Sequence, residues 1–166
     1  MRELIPLAEQ AGLLLKAAGE RISVAESSAG GLICAALLAV PGASSFCVGG
    51  AVMYYRRNYL ALRDVAEADL KQGGPGKESF ALYGARLVRT RYETDWALGE
   101  SGVAGPTGNR YGHPPGHCVV AITGPVENVR NIETFSGDRV ENMHAFARGA
   151  LELLVDTLTY RGGGGK

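Results

Sequence analysis

The chain has 166 residues, 46% hydrophobic and 20% charged, enough for one domain with a sizeable apolar core and too apolar for a disordered chain. Its 17 basic and 17 acidic side chains cancel, which excludes a global attraction to nucleic acid or to a membrane surface, while a nucleotide-sized ligand needs only a local cluster. No apolar run reaches the roughly 18 residues of a membrane span, and the charged stretch MRELIPLAEQ lacks the apolar centre of a secretory signal.

In chain order, Leu4, Leu7, Ala8, Ala11, Leu14 and Leu15 recur at helical spacing and predict a helix over Glu3 to Ala18. Arg21 to Ala25 reads as a short strand. Ser27 or Ser28 then caps an apolar helix running to Leu38, which Pro41-Gly42 stops. Phe46 to Tyr55 has strand composition, weakened by Gly49-Gly50. Arg56 to Leu62 is a short connection, Ala66 to Gln72 a short helix, GGPGK a turn, and Glu78 to Thr90 an amphipathic helix. Trp96 to Gly99 is a strand leading into the long loop SGVAGPTGNRYGHPPG. His117 to Thr123 and Val129 to Phe135 form two strands about the Gly124-Pro125 turn, expected to pair antiparallel, and Arg139 to Tyr160 a long helix. Residues 1–161 thus read as one α/β domain and 162–166 as a flexible tail.

Cys34, Cys47 and Cys118 have no CxxC spacing and predict buried, reduced thiols in a cytoplasmic protein. His113 and His117 beside Cys118 mimic metal-ligand spacing, but Pro114-Pro115-Gly116 forbids the helix that would join them, so no metal is expected. Neither GxGxxG after a strand nor GxxxxGK[ST] occurs, which removes the Rossmann and P-loop readings.

Ligands of α/β sheets collect at the carboxyl ends of strands. Two loops leave strands at that edge: AESSAGG, with Glu26, Ser27, Ser28, Gly30 and Gly31, and ESGVAGPTG, with Ser101, Gly102, Ala104, Gly105 and Thr107. The first reads as a phosphate cradle, as a nucleophile held at a helix N-terminus, or as a capped helix alone. The second adds small groups and backbone donors, and the two are expected to frame one cleft. The run Tyr54-Tyr55-Arg56-Arg57 at a strand end suits an aromatic ring or a phosphate.

With these motifs in order, the chain resembles the CinA C-terminal domain family, whose characterised members are nicotinamide mononucleotide (NMN) deamidases. AESSAGG corresponds to the family's AESCTGG, SGVAGPTG to its S/TGIAGPxGG, PPGHCVVAI to its KPVGTVWIA, and FSGDR to its F-x-GDR. The resemblance implies a three-layer α/β/α sandwich with a mixed, mostly parallel sheet. It implies hydrolysis of a nicotinamide amide by a serine with a lysine as base, with no metal or cofactor and with possible self-association. Lysine can act so only when burial strips its proton near neutral pH, and backbone donors at the helix start would hold the oxyanion.

Carried over by position, Ser27 is the motif serine, Ser44 or Ser45 the hydroxyl of the next loop, Tyr54 the strand-end tyrosine and Arg139 the GDR arginine. Either Ser27 or Ser44 is the candidate nucleophile. The family's lysine falls on Tyr59, its motif threonine on Ala29, and a following arginine on Met143. Lys77 and His117 stand as replacement bases. The expected function is a CinA-like amidohydrolase with an altered base, or a catalytically silent member that binds a nucleotide-like small molecule.

Overall fold

A computed structural model describes residues 1–61 and 74–160. The predicted helix at Ala66 to Gln72 lies outside them. The described residues form a sheet of five strands in the order β2-β1-β3-β4-β5, with β1 Ile22–Glu26, β2 Cys47–Val52, β3 Trp96–Gly102, β4 His117–Thr123 and β5 Glu127–Glu133. Helices α1 (Ile5–Ala18), α2 (Leu32–Leu38) and α5 (Arg139–Tyr160) cover one face, and α3 (Arg56–Leu60) and α4 (Glu78–Tyr92) the other. This is the three-layer α/β/α sandwich expected.

The alternation of strand side chains sorts the apolar residues between layers. Cys118, Val120 and Ile122 of β4 join the α1/α2/α5 core with Phe46, Trp96 and Leu151. Val119 and Ala121, pointing the other way, meet Ala81 of α4. Gly99 of β3 is required by packing: a Cβ there would lie 2.0 Å from the Ala81 carbonyl oxygen. The missing side chain brings α4 down onto the centre of the sheet.

The sheet is mixed, but parallel pairs do not dominate. β1 pairs parallel with β2 and β3, while β4 is antiparallel to both β3 and β5. The reason lies in the segment after β3, which returns the chain directly instead of through the crossover helix a parallel pair needs.

Boundaries differ where polar residues carry strand. β3 runs three residues past Gly99, placing Glu100, Ser101 and Gly102 in the sheet rather than in a loop. β5 starts at Glu127 and stops before Phe135, whose φ is +57° and whose ring is exposed. Glu127 belongs to the strand because its carboxylate accepts bonds from Arg86 on α4 and from Thr123 on β4. Before α5, the Asp138 carboxylate accepts the N–H groups of Val140 and Glu141 at 2.9 and 3.0 Å, which satisfies free donors of its first turn.

Candidate functional site

The AESSAGG turn is held by two buried carboxylates, one at each end of its chain path. Glu26, the last residue of β1, accepts backbone N–H groups from Gly31 (2.9 Å), Ile33 (3.0 Å) and Cys34 (2.7 Å). Burial, outweighing those donors and aided by the charge of Glu100, lifts its carboxyl to about 7. Glu100, from β3, accepts the N–H groups of Ser27 (2.8 Å) and Ala29 (2.9 Å), the Ser28 hydroxyl, and the Cys118 thiol at 3.5 Å. The chain between the two anchors turns through left-handed glycines, Gly30 at φ +70° and Gly31 at φ +101°, a conformation that costs glycine little.

This arrangement corrects three expectations. Neither Ser27 nor Ser28 caps a helix: α2 begins at Leu32 and Glu26 supplies its cap. The N–H groups expected to receive a phosphate or oxyanion are occupied, by Glu26 at the helix start and by Glu100 in the turn. The two glycine-bearing segments do meet, but they meet in contact instead of framing a gap. A Cβ on Gly102 would lie 2.8 Å from both the Ser28 hydroxyl oxygen and the Cys118 Cβ.

The open space lies on the other side of Ser27. A cleft of ≈380 Å³ is lined by Ser27, by Met53, Tyr54, Tyr55, Arg56 and Tyr59 from the end of β2 and α3, by Pro75 and Phe80, and by Arg110 and Tyr111. Tyr59 is buried in its wall, its ring 5.2 Å from that of Phe80 and 6.4 Å from that of Tyr83 between centroids. Tyr54 and Tyr55 are exposed at the rim.

Of the residues singled out in the sequence, Ser27, Tyr54, Tyr55, Arg56 and Tyr59 line this cleft. Glu26 and Ser28 sit behind it as anchors, and Gly30 and Gly31 form the turn. Ser101 is spent on the Gly76 N–H at 3.2 Å. Arg139 ties the frame together, donating to the Gly105 carbonyl at 2.7 Å and to the Tyr54 hydroxyl at 3.0 Å. Ala104 is buried, its carbonyl accepting a bond from Asn142 at 2.8 Å, while Thr107 is exposed.

Ser44 is elsewhere. It lies exposed in the turn that precedes β2, and β2 runs parallel to β1 from Cys47 opposite Ile22 to Val52 opposite Glu26. The length of the strand therefore separates Ser44 from the end that carries Ser27. Lys77 is exposed at the start of α4 and does not line the cleft. His117 cannot serve Ser27 either: Nε2 is bonded to the Gly76 carbonyl at 2.7 Å, and Nδ1 to Glu133.

Over residues 4–158 the chain matches the CinA C-terminal domain. The chain belongs to that family. Among its relatives, CinA-like proteins of Trichormus variabilis and of a Nostoc species are 36% and 33% identical, each over 93% of this chain. The chain spans 38% and 39% of their lengths. Among solved structures, a CinA superfamily protein of Klebsiella pneumoniae is 25% identical with a TM-score of 0.87, covering 95% of this chain and 98% of that one. A competence/damage-inducible protein of Agrobacterium tumefaciens is 27% identical with a TM-score of 0.85, covering 94% and 95%.

Within this CinA domain, the position where the resemblance expects a lysine is filled by Tyr59. Burial, followed by the negative charge of Glu100, pushes its phenol above the usual tyrosine range, so it stays protonated at neutral pH and cannot take a proton from Ser27. Among the described residues no lysine or histidine lines the cleft.

Sequence reasoning missed Glu100, whose signal was a carboxylate directly after a strand of otherwise apolar residues. It also missed Arg110, Tyr111 and Phe80, which reach the cleft from segments distant in sequence. Nothing in their local pattern announces that. Tyr55 and Arg56 were legible, as part of the Tyr54-Tyr55-Arg56-Arg57 run.

Proposed function

We propose that this CinA-family chain binds a pyridine-nucleotide ligand of the NMN class in the Ser27 cleft and holds it without hydrolysing its amide. The observation that carries the reading is the make-up of the cleft wall. Five aromatic rings (Tyr54, Tyr55, Tyr59, Phe80 and Tyr111) and two guanidinium groups (Arg56 and Arg110) surround Ser27, with no amine or imidazole among the described lining residues. Aromatic faces attract a positively charged pyridinium ring, and guanidinium groups are the side chains best matched to a phosphate. The volume suits a ligand of that size.

A deamidase would need the Ser27 hydroxyl deprotonated as it attacks the amide carbon. Losing the general base costs roughly 10²–10⁴ in rate, and more where nucleophile and base act as one unit. Ser27 on the cleft wall favours retained hydrolysis as the second reading, and turnover measurements separate the two.

Calorimetric titration with NMN tests the binding itself. Saturable binding is expected, weakened roughly 5- to 100-fold by Tyr55→Ala if its ring stacks on the ligand, and weakened also by Arg110→Ala. No heat at millimolar NMN, or variants indistinguishable from the parent, would overturn the reading.

A further inference from the structure

The far wall of the Ser27 cleft, Pro75, Arg110 and Tyr111, comes from two segments that meet at a pair of imidazoles. His117 opens β4 opposite Glu133 of β5, and its Nε2 lies 2.7 Å from the Gly76 carbonyl oxygen. His113 lies flat on it, the ring centroids 4.3 Å apart and the planes 4° from parallel. Gly76 admits this stack: its φ is +88°, and a Cβ there would lie 2.8 Å from the His113 Cδ2. We propose that the His113–His117 stack is an acid-sensitive latch on the cleft wall, closed while His113 is neutral and released by its protonation, so that ligand affinity falls as the solution turns acid. This regulation rests on the reading of the cleft as the ligand site.

The two rings have opposite settings. A carbonyl oxygen only accepts, so the His117 Nε2 donates to Gly76. Its Nδ1 faces the Glu133 carboxylate, and a proton must lie between those two acceptors. His117 is thus held as a donor on both sides. The His113 Nε2 is buried with no hydrogen-bond partner among the described residues. The charged groups facing that ring are His117, Lys77 at the start of α4 and Glu133 on β5. Burial, then the His117 and Lys77 charges, hold its imidazole below the usual histidine range against the pull of Glu133. A proton added to His113 sets a second cation flat against His117 and leaves a buried N–H unpaired. Parting the rings relieves both. The closed form is therefore favoured in full above the ordinary histidine pKa of roughly 6.5 and loses ground as pH falls below it.

Release reaches the cleft because its wall hangs on the same contacts. The Asn109 Oδ1 accepts the N–H groups of Tyr111 at 3.0 Å and His113 at 3.1 Å, and its Nδ2 donates to the Pro75 carbonyl at 3.3 Å. The Tyr111 ring packs on Gly74, where a Cβ would lie 2.9 Å from it. A shift of His113 away from His117 therefore pulls on Pro75, Arg110 and Tyr111 together.

The test compares the parent with His113→Phe, which keeps an aromatic ring and cannot take a proton, at about pH 7.5 and about pH 5. Hydrogen-exchange protection of the Gly76 N–H, which donates to the Ser101 hydroxyl at 3.2 Å, reads the latch without ligand. Calorimetry with NMN reads the cleft. On acidification, protection and NMN affinity should each fall about tenfold further in the parent than in His113→Phe, as when only about a tenth of the molecules keep the wall closed. The comparison cancels the titration of Glu26 and that of the ligand's phosphate, whose second proton binds at about 6. Equal falls in parent and variant would overturn the proposal. If NMN binds neither protein, the reading of the cleft fails and Gly76 protection alone decides the latch. If His113→Phe does not fold, proton NMR of the parent decides: the His113 ring and the Gly76 protection should share one titration midpoint, and separate midpoints would overturn the latch.

Discussion

Replacing Glu100 by glutamine tests whether that carboxylate holds the Ser27 turn. Its Oε2 accepts two backbone donors, from Ser27 and Ala29, and its Oε1 accepts the Ser28 hydroxyl and the Cys118 thiol. A hydrogen bond to a charged acceptor contributes roughly 1.5–3 kcal/mol and a neutral one roughly 0.5–1.5. Two backbone bonds downgraded in this way cost about 2 kcal/mol. The new amide can still donate to the Ser28 oxygen, and loss of the negative charge relieves Glu26, so the net cost of Glu100→Gln should stay at about 2 kcal/mol. Glu100→Ala instead leaves two amides and a hydroxyl unpaired in the interior, at roughly 1–3 kcal/mol each. That is a large part of the ~5–15 kcal/mol that keeps a domain folded. Urea unfolding measures both variants, and hydrogen exchange at the Ser27 and Ala29 amides reports the turn directly. A Glu100→Gln protein with an unchanged midpoint and unchanged protection of those amides would refute the assignment.

Glu26 predicts a pH dependence of unusual sign for a carboxylate. Its carboxyl titrates at about 7 in the fold and at roughly 4.3 when unfolded. Between those values the folded chain keeps a proton that the unfolded chain has lost. Stability should therefore fall as pH rises through this window, by at most about 4 kcal/mol, and level off above it. Glu26→Gln should flatten that slope in urea titrations from pH 4.5 to 8, and an unchanged slope would count against the shift. Glu127 acts in another range. Arg86 holds its carboxyl down to about 2, so its contribution is complete above the ordinary carboxylate pKa and is lost as pH falls towards 2. Gly99→Ala should cost more than ~3 kcal/mol, beyond ordinary overpacking, because the new methyl meets the Ala81 carbonyl of α4. A variant within about 1 kcal/mol of the parent would show that α4 can retreat from the sheet.

The elements were legible where one periodicity ran unopposed. The apolar spacing of α1 and the length of α5 predicted those helices within a few residues, and β4 is a run of apolar residues buried on both faces. Polar residues inside strands were not legible. Glu100 and Ser101 read as loop because a buried charge in a strand makes sense only once its partners, the Ser27 and Ala29 amides, are in place. The same holds for the start of α2. A serine before an apolar run looks like a cap, yet the cap comes from Glu26, which only the double-glycine turn brings back over the helix end. For the cleft, local sequence identified Ser27 and the tyrosines that follow β2. The opposite wall, Phe80, Arg110 and Tyr111, is assembled by tertiary contact alone.

A single-turnover experiment with protein in excess over NMN tests the central claim most directly. Nicotinate mononucleotide and ammonia are followed for the parent and for Ser27→Ala. The cleft described here predicts that NMN is recovered intact from both, at the rate of the protein-free control. Nicotinate mononucleotide formed by the parent and abolished by Ser27→Ala would contradict it, and would show that a base reaches Ser27 after all.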